Sequence, residues 1–151
     1  MGRRGCDSVA TVVKVIPQSM GGAIKSLVNI YTYNDMHFED QAIQFKKLYY
    51  KYKAQRLVID ANGLGVGLVD YMVKSQLDPI TGDTLPDFGV YDATFDGWED
   101  EYKKYRSDIC EDNAMYLIKA NAPINTEAHS ITQTWLNANK IQFLIDERVA
   151  K

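Results

Sequence analysis

Asp60 ends the apolar run Leu57-Val58-Ile59 and opens a glycine-punctuated segment, within the stretch RLVIDANGLGVGLVD from Arg56 to Asp70. A run of that kind predicts a buried strand turning into a helix, with the carboxylate at the strand's carboxyl end, where ligands sit in open α/β sheets. Gly63, Gly65 and Gly67 allow tight backbone geometry and close approach by a ligand or another chain, which a Cβ would block. Other acids are weaker candidates. Asp7 comes just before an apolar, β-branched run, and Asp92 and Asp96 flank the end of a strand beginning at Phe88. Asp70 lies one helical stretch beyond Asp60 and is expected on the helix surface or as a structural partner, not as a ligand.

Several carboxylates converging from different strands suit two-metal phosphodiester hydrolysis, in which two divalent cations about 4 Å apart are oriented around one phosphate. One metal activates the attacking water and the other steadies the leaving 3′ oxygen. Hard oxygen ligands select magnesium or manganese over zinc. Two histidines and two cysteines, scattered along the chain, are dispensable for that chemistry.

The elements that must position these acids can be read in order. Val9 to Ile16 predicts a strand ended by Pro17, Gln18 to Gly22 a turn, and Ala23 to Tyr33 a second strand, together a hairpin. Asn34 and Asp35 are good helix starters. After them Phe38, Ala42, Phe45, Leu48, Tyr49 and Tyr52 recur at helical spacing, with Lys46, Lys47, Lys51 and Lys53 expected on a solvated face. His37 falls in the first turn as a surface or packing residue. The strand to Asp60 and a helix from about Val66 to Ser75 follow, then a long loop to Pro86 and a buried strand over Phe88 to Ala93. Asp96 to Asp112 is the most polar stretch and reads as a solvated connector. Met115 to Ala120 is either a strand or the end of a helix. Asn125 or Thr126 caps a helix closed by Lys140, and Ile141 to Ile145 is strand-like. The order predicts an α/β fold with a mixed sheet, an antiparallel hairpin plus parallel strands, flanked by helices.

A chain of 151 residues with 46% hydrophobic and 25% charged residues suits one domain with a real core, spanning residues 1–151. No apolar run approaches a membrane span, no apolar segment follows Arg3 and Arg4 to make a secretory signal, and Cys6 and Cys110 suggest reduced thiols in a cytosol. The net charge of −3 argues against a surface that grips nucleic acid everywhere. It leaves room for a metal nuclease, whose site must be acidic.

The pattern of Asp60, Gly63, Gly65 and Asp70 resembles the second acidic motif of the nuclease domain of tailed-phage terminase large subunits. GRRGCDSVATVVKVIP, MYLIKANAPINTEAH and IQFLIDERVAK resemble the same family, and together these stretches cover most of the chain. The resemblance implies a ribonuclease H-like fold and a metal-dependent endonuclease that cuts concatemeric double-stranded viral DNA during genome packaging. It implies Asp60, with Asp7 beside it, as catalytic metal ligands for Mg2+ or Mn2+, in a turn supported by Gly63, Gly65 and Gly67. It also implies the portal protein and the small terminase subunit as partners, in the cytoplasm of an infected bacterial host. In that family the first strand ends in a catalytic aspartate before the loop resembling GRRGCDS, and the third acid follows the stretch resembling IQFLIDERVAK. The comparison therefore implies a partial nuclease domain lacking the first strand. Strands that have lost a neighbour expose their edges, so self-association through unpaired strand edges, or a rearranged sheet, is expected.

Two other classes compete. A non-catalytic interaction module of the packaging motor fits a chain lacking both flanking acids. A nucleotide-binding α/β domain would use the same glycines as a phosphate cradle. There the third glycine comes one residue early for the dinucleotide pattern, and Asp60 would repel the pyrophosphate.

Overall fold

The computed structural model describes residues 8–62, 65–92 and 112–144. The chain is α/β and divides into two compact units: Met1–Asp35 with Asn121–Lys151, and Met36–Ala120.

In the first unit, β1 (Ser8–Pro17) and β2 (Ala23–Tyr33) form the expected antiparallel hairpin. Their β-branched residues favour extended backbone. Gly21 and Gly22 turn the chain at φ of 90° and 75°, in the left-handed region that glycine enters without steric cost. The pairing shifts between Val12 and Val13, whose partners are Asn29 and Leu27, so Val28 is the extra residue of a bulge.

A second helix-strand pair completes this unit. The helix over Ala122–Asn137, α3, starts earlier than the expected caps Asn125 and Thr126. The Asn121 side chain accepts from the Ile124 amide at 3.0 Å, and Pro123 in the first turn has no amide to satisfy. After α3, the short strand Ile141–Gln142, here β8, pairs parallel to β2. Within the described residues the sheet is mixed, in the order β1-β2-β8.

The second unit holds the core. Helix α1 (Phe38–Lys51) begins with His37 as its cap residue, in extended conformation and without a side-chain capping bond. Asn34 and Asp35 therefore precede the helix without capping it, and Asp35 has a positive φ of 53°. Strand β3 (Leu57–Asp60) leads into α2 (Gly65–Met72). The segment expected as a long loop contains a two-stranded hairpin, β4 (Gln76–Leu77) with β5 (Thr84–Leu85). Asp78 holds its turn together, accepting from the Ile80 amide, the Thr81 hydroxyl and the Lys47 ammonium.

Strands β6 (Phe88–Asp92) and β7 (Asp112–Ile118) finish the unit. The ambiguous segment near Met115 is thus a strand. It lies between β3 and β6, with both pairings parallel. Ala114, Met115 and Leu117 are all buried to 1% exposure or less. Burial of successive residues means that both faces of β7 are covered, as expected for the middle strand of a parallel sheet. Leu68, Val69, Met72 and Val73 of the α2 region pack into the same core, as their helical spacing predicts. The hairpin and the parallel strands occupy separate sheets among the described residues, and β1 and β3 are each edge strands.

The lysine-bearing face of α1 is not uniformly solvated. Lys46 is fully buried and donates to the Lys74 carbonyl at 2.5 Å, with its ammonium 5.6 Å from the centre of the Phe88 ring. Its sequence position lies one residue from Phe45, on the edge of the apolar stripe, and periodicity alone assigned it to the wrong side.

Candidate functional site

Asp60 occupies the last position of β3, in register with Ile118 of β7, and its side chain is exposed. The carboxylate is therefore at the carboxyl end of a parallel sheet, as its position after an apolar run predicts. The ladder continues one residue further, since the Ala61 amide donates to the Ile118 carbonyl at 2.8 Å.

Asn62 organises the turn that follows. Its backbone amide donates to Asp60 Oδ1 at 3.1 Å, and its side-chain Nδ2 donates to the Ala120 carbonyl at 2.8 Å. The first bond fixes the carboxylate against its own turn, an arrangement typical of aspartate side chains. The second ties the end of β3 to the chain leaving β7. Asn62 is the residue of this site that motif reading passed over. The only signal for it is its place two residues after a strand-ending aspartate.

The glycines serve close packing inside the chain. A Cβ on Gly65 would stand 1.9 Å from the Asp60 carbonyl oxygen, and one on Gly67 would stand 2.7 Å from the Phe38 ring. Each distance is far below van der Waals contact. Gly65 thus lets α2 start directly against the end of β3, and Gly67 lets α1 and α2 approach. Gly63 lies outside the described residues.

The other candidate acids are distributed unevenly. Asp7 and Asp96 lie outside the described residues. Asp92 is the last residue of β6, in register with Tyr116. Its backbone therefore reaches the same end of the sheet as Asp60, on the opposite side of β7, two strand spacings or roughly 10 Å away. Asp70 is exposed on α2, as expected.

In donor chemistry Asp60 fits a magnesium-type cation, because it offers an exposed carboxylate with lone pairs beyond the one that Asn62 uses. Among the described residues no group of three or more His, Cys, Asp or Glu side chains is arranged to hold a metal ion. Asp60 is thus a lone exposed carboxylate at this end of the sheet, of a chemistry that could contribute a single oxygen ligand.

No family model, curated protein or solved structure matches the chain. No helix among the described residues is long and apolar enough to cross a membrane.

Proposed function

We propose that this chain is part of the nuclease domain of a viral DNA-packaging terminase, a metal-dependent endonuclease of ribonuclease H-like fold acting on concatemeric double-stranded DNA. The observation that carries the reading is the exposed Asp60 carboxylate at the end of β3, held by the Asn62 amide in a turn that Gly65 closes. The motif around it and three further stretches resemble that family, and its setting at the carboxyl end of a parallel sheet suits ligand binding. On this reading the partners are DNA, the portal protein and the small terminase subunit, in the cytoplasm of an infected bacterial host.

In the proposed reaction, water attacks phosphorus and the bond to the 3′ oxygen breaks, leaving a 5′ phosphate and a 3′ hydroxyl. Bound Mg2+ or Mn2+ would lower the pKa of the water and stabilise charge on the leaving oxygen. Asp60 holds a carboxylate toward solvent in a fixed orientation, and Asn62 limits its rotation. Asp7 is the second proposed ligand.

Nicking of supercoiled plasmid in manganese, by the chain and by Asp60→Asn at matched purity, tests this reading. The expected loss in the variant is on the order of a hundredfold or more, because the amide removes the anionic ligand. Activity unchanged by Asp60→Asn would overturn the assignment of Asp60. The second reading is a non-catalytic interaction module of the same motor. It predicts no nicking by either protein and stable binding to a separately expressed motor segment.

A further inference from the structure

We propose that Asn62 is a positioning residue for Asp60: its carboxamide replaces a backbone rung between β3 and β7, and that bond holds the Asp60 carboxylate in one rotamer for a cation. The effect on the rotamer is independent of the nuclease reading, and the effect on the cation rests on it.

The starting observation is where the ladder ends. Strands β3 and β7 pair from Leu57 with Met115 to Asp60 with Ile118, and the Ala61 amide then donates to the Ile118 carbonyl at 2.8 Å. In a parallel ladder the bonds are evenly spaced, and carbonyls two residues apart face the same neighbour. The next acceptor facing β3 is therefore the Ala120 carbonyl. Its donor is a side chain, since Asn62 Nδ2 lies 2.8 Å from it. The carboxamide thus extends the pairing by one rung while the backbone of Asn62 is released to turn.

The released amide is what reaches Asp60. In a continuing strand the amide after that of Ala61 would point away from β7. Here it donates to Asp60 Oδ1 at 3.1 Å, and the Asn62 carbonyl accepts from the Gly65 amide at 3.3 Å. Asn62 is therefore bonded through its amide, its carbonyl and its carboxamide. Two of these bonds are local, and the carboxamide bond reaches a partner 58 residues away in sequence. Asp60 and Asn62 are both exposed, so water competes for the local bond between them. Anchoring residue 62 to the end of β7, whose Ala114, Met115 and Leu117 are buried, removes the backbone freedom that this competition needs. A carboxylate held in this way binds a cation without first giving up rotamer freedom.

Asn62→Leu tests this order of dependence, because leucine keeps the branching of asparagine and the backbone amide but has no side-chain donor. Three-bond proton couplings of the Asp60 side chain read its rotamer, and hydrogen exchange reads the amides. The wild-type chain should show one dominant Asp60 rotamer and a protected amide at residue 62. In Asn62→Leu the couplings should average and that amide should exchange faster, while the Ile59 amide within β3 keeps its protection. Mn2+ added alone should broaden the Ala61 amide signal of the wild-type chain at about tenfold lower concentration than in Asn62→Leu. Asp60→Asn should abolish that broadening. Unchanged Asp60 couplings overturn the proposal, and so does loss of protection at Ile59, which would make Asn62 a support of the whole strand. Equal broadening by Mn2+ in wild type and Asn62→Leu also overturns it. If Mn2+ broadens neither, the cation part of the proposal falls with the metal reading of Asp60, and the couplings still decide the rotamer part.

Discussion

Lys46 carries an ammonium group into the core of the 36–120 unit, where it meets a carbonyl and the Phe88 ring instead of water. Burial pushes its pKa down from 10.5 to about 8, a shift that Asp87 partly opposes. The consequence for stability has a definite sign. Below about pH 8 both folded and unfolded chains keep this proton, so the group adds no pH dependence. Between about 8 and 10.5 the unfolded chain binds it more strongly, so stability rises with pH across that window. Urea midpoints at about pH 7.5 and about pH 9.5 check this. The wild-type midpoint should gain on that of Lys46→Met as pH rises, and parallel behaviour of the two would remove the assignment. At Asp60, the companion polar site, the argument is geometric. Its carboxylate is exposed and oriented by Asn62, so Asp60→Asn should affect metal-dependent chemistry far more than folding.

Helix α3 depends on its first turn more than on burial. None of its residues is buried, and Ile124, Ile131, Trp135 and Leu136 are all between 37% and 42% exposed. Lys25 from β2 places its ammonium 3.5 Å from the centre of the Trp135 ring, a contact that helps fasten the helix to its sheet. A helix with so little packing relies on capping and propensity. Replacing Asn121 by Ala should therefore cost about 1 kcal/mol of helix stability, while Asn121→Ser should restore most of it. Hydrogen exchange of the α3 amides reads the difference, and equal protection in both variants would count against the cap.

Among the described residues the buried apolar side chains are confined to one unit. Every buried hydrophobic residue among those described, from Ala42 to Leu117, belongs to the 36–120 unit. Burial of apolar surface is the main term favouring folding. The slowest exchanging amides are therefore expected in α1, β3 and β7, while β1 and α3 should exchange at lower free energy. Exchange at equal rates throughout would show a single cooperative unit instead.

Much of the fold is local and was legible in the chain. The valine-rich hairpin, the three-and-four spacing of α1 and α2, and the aspartate closing an apolar run each depend on side chains and backbone within one element. Other features depend on what lies across space. The segment near Met115 is too short for periodicity to separate strand from helix, and its central place in the sheet comes from pairing with both β3 and β6. Lys46 sits at the border of a helical stripe, and only the packing of Phe88 and the end of α2 decides that it is buried. Gly65 and Gly67 announce close approach without saying to what. Only the fold shows that the neighbours are the Asp60 carbonyl and the Phe38 ring, because those contacts join residues that folding alone brings together.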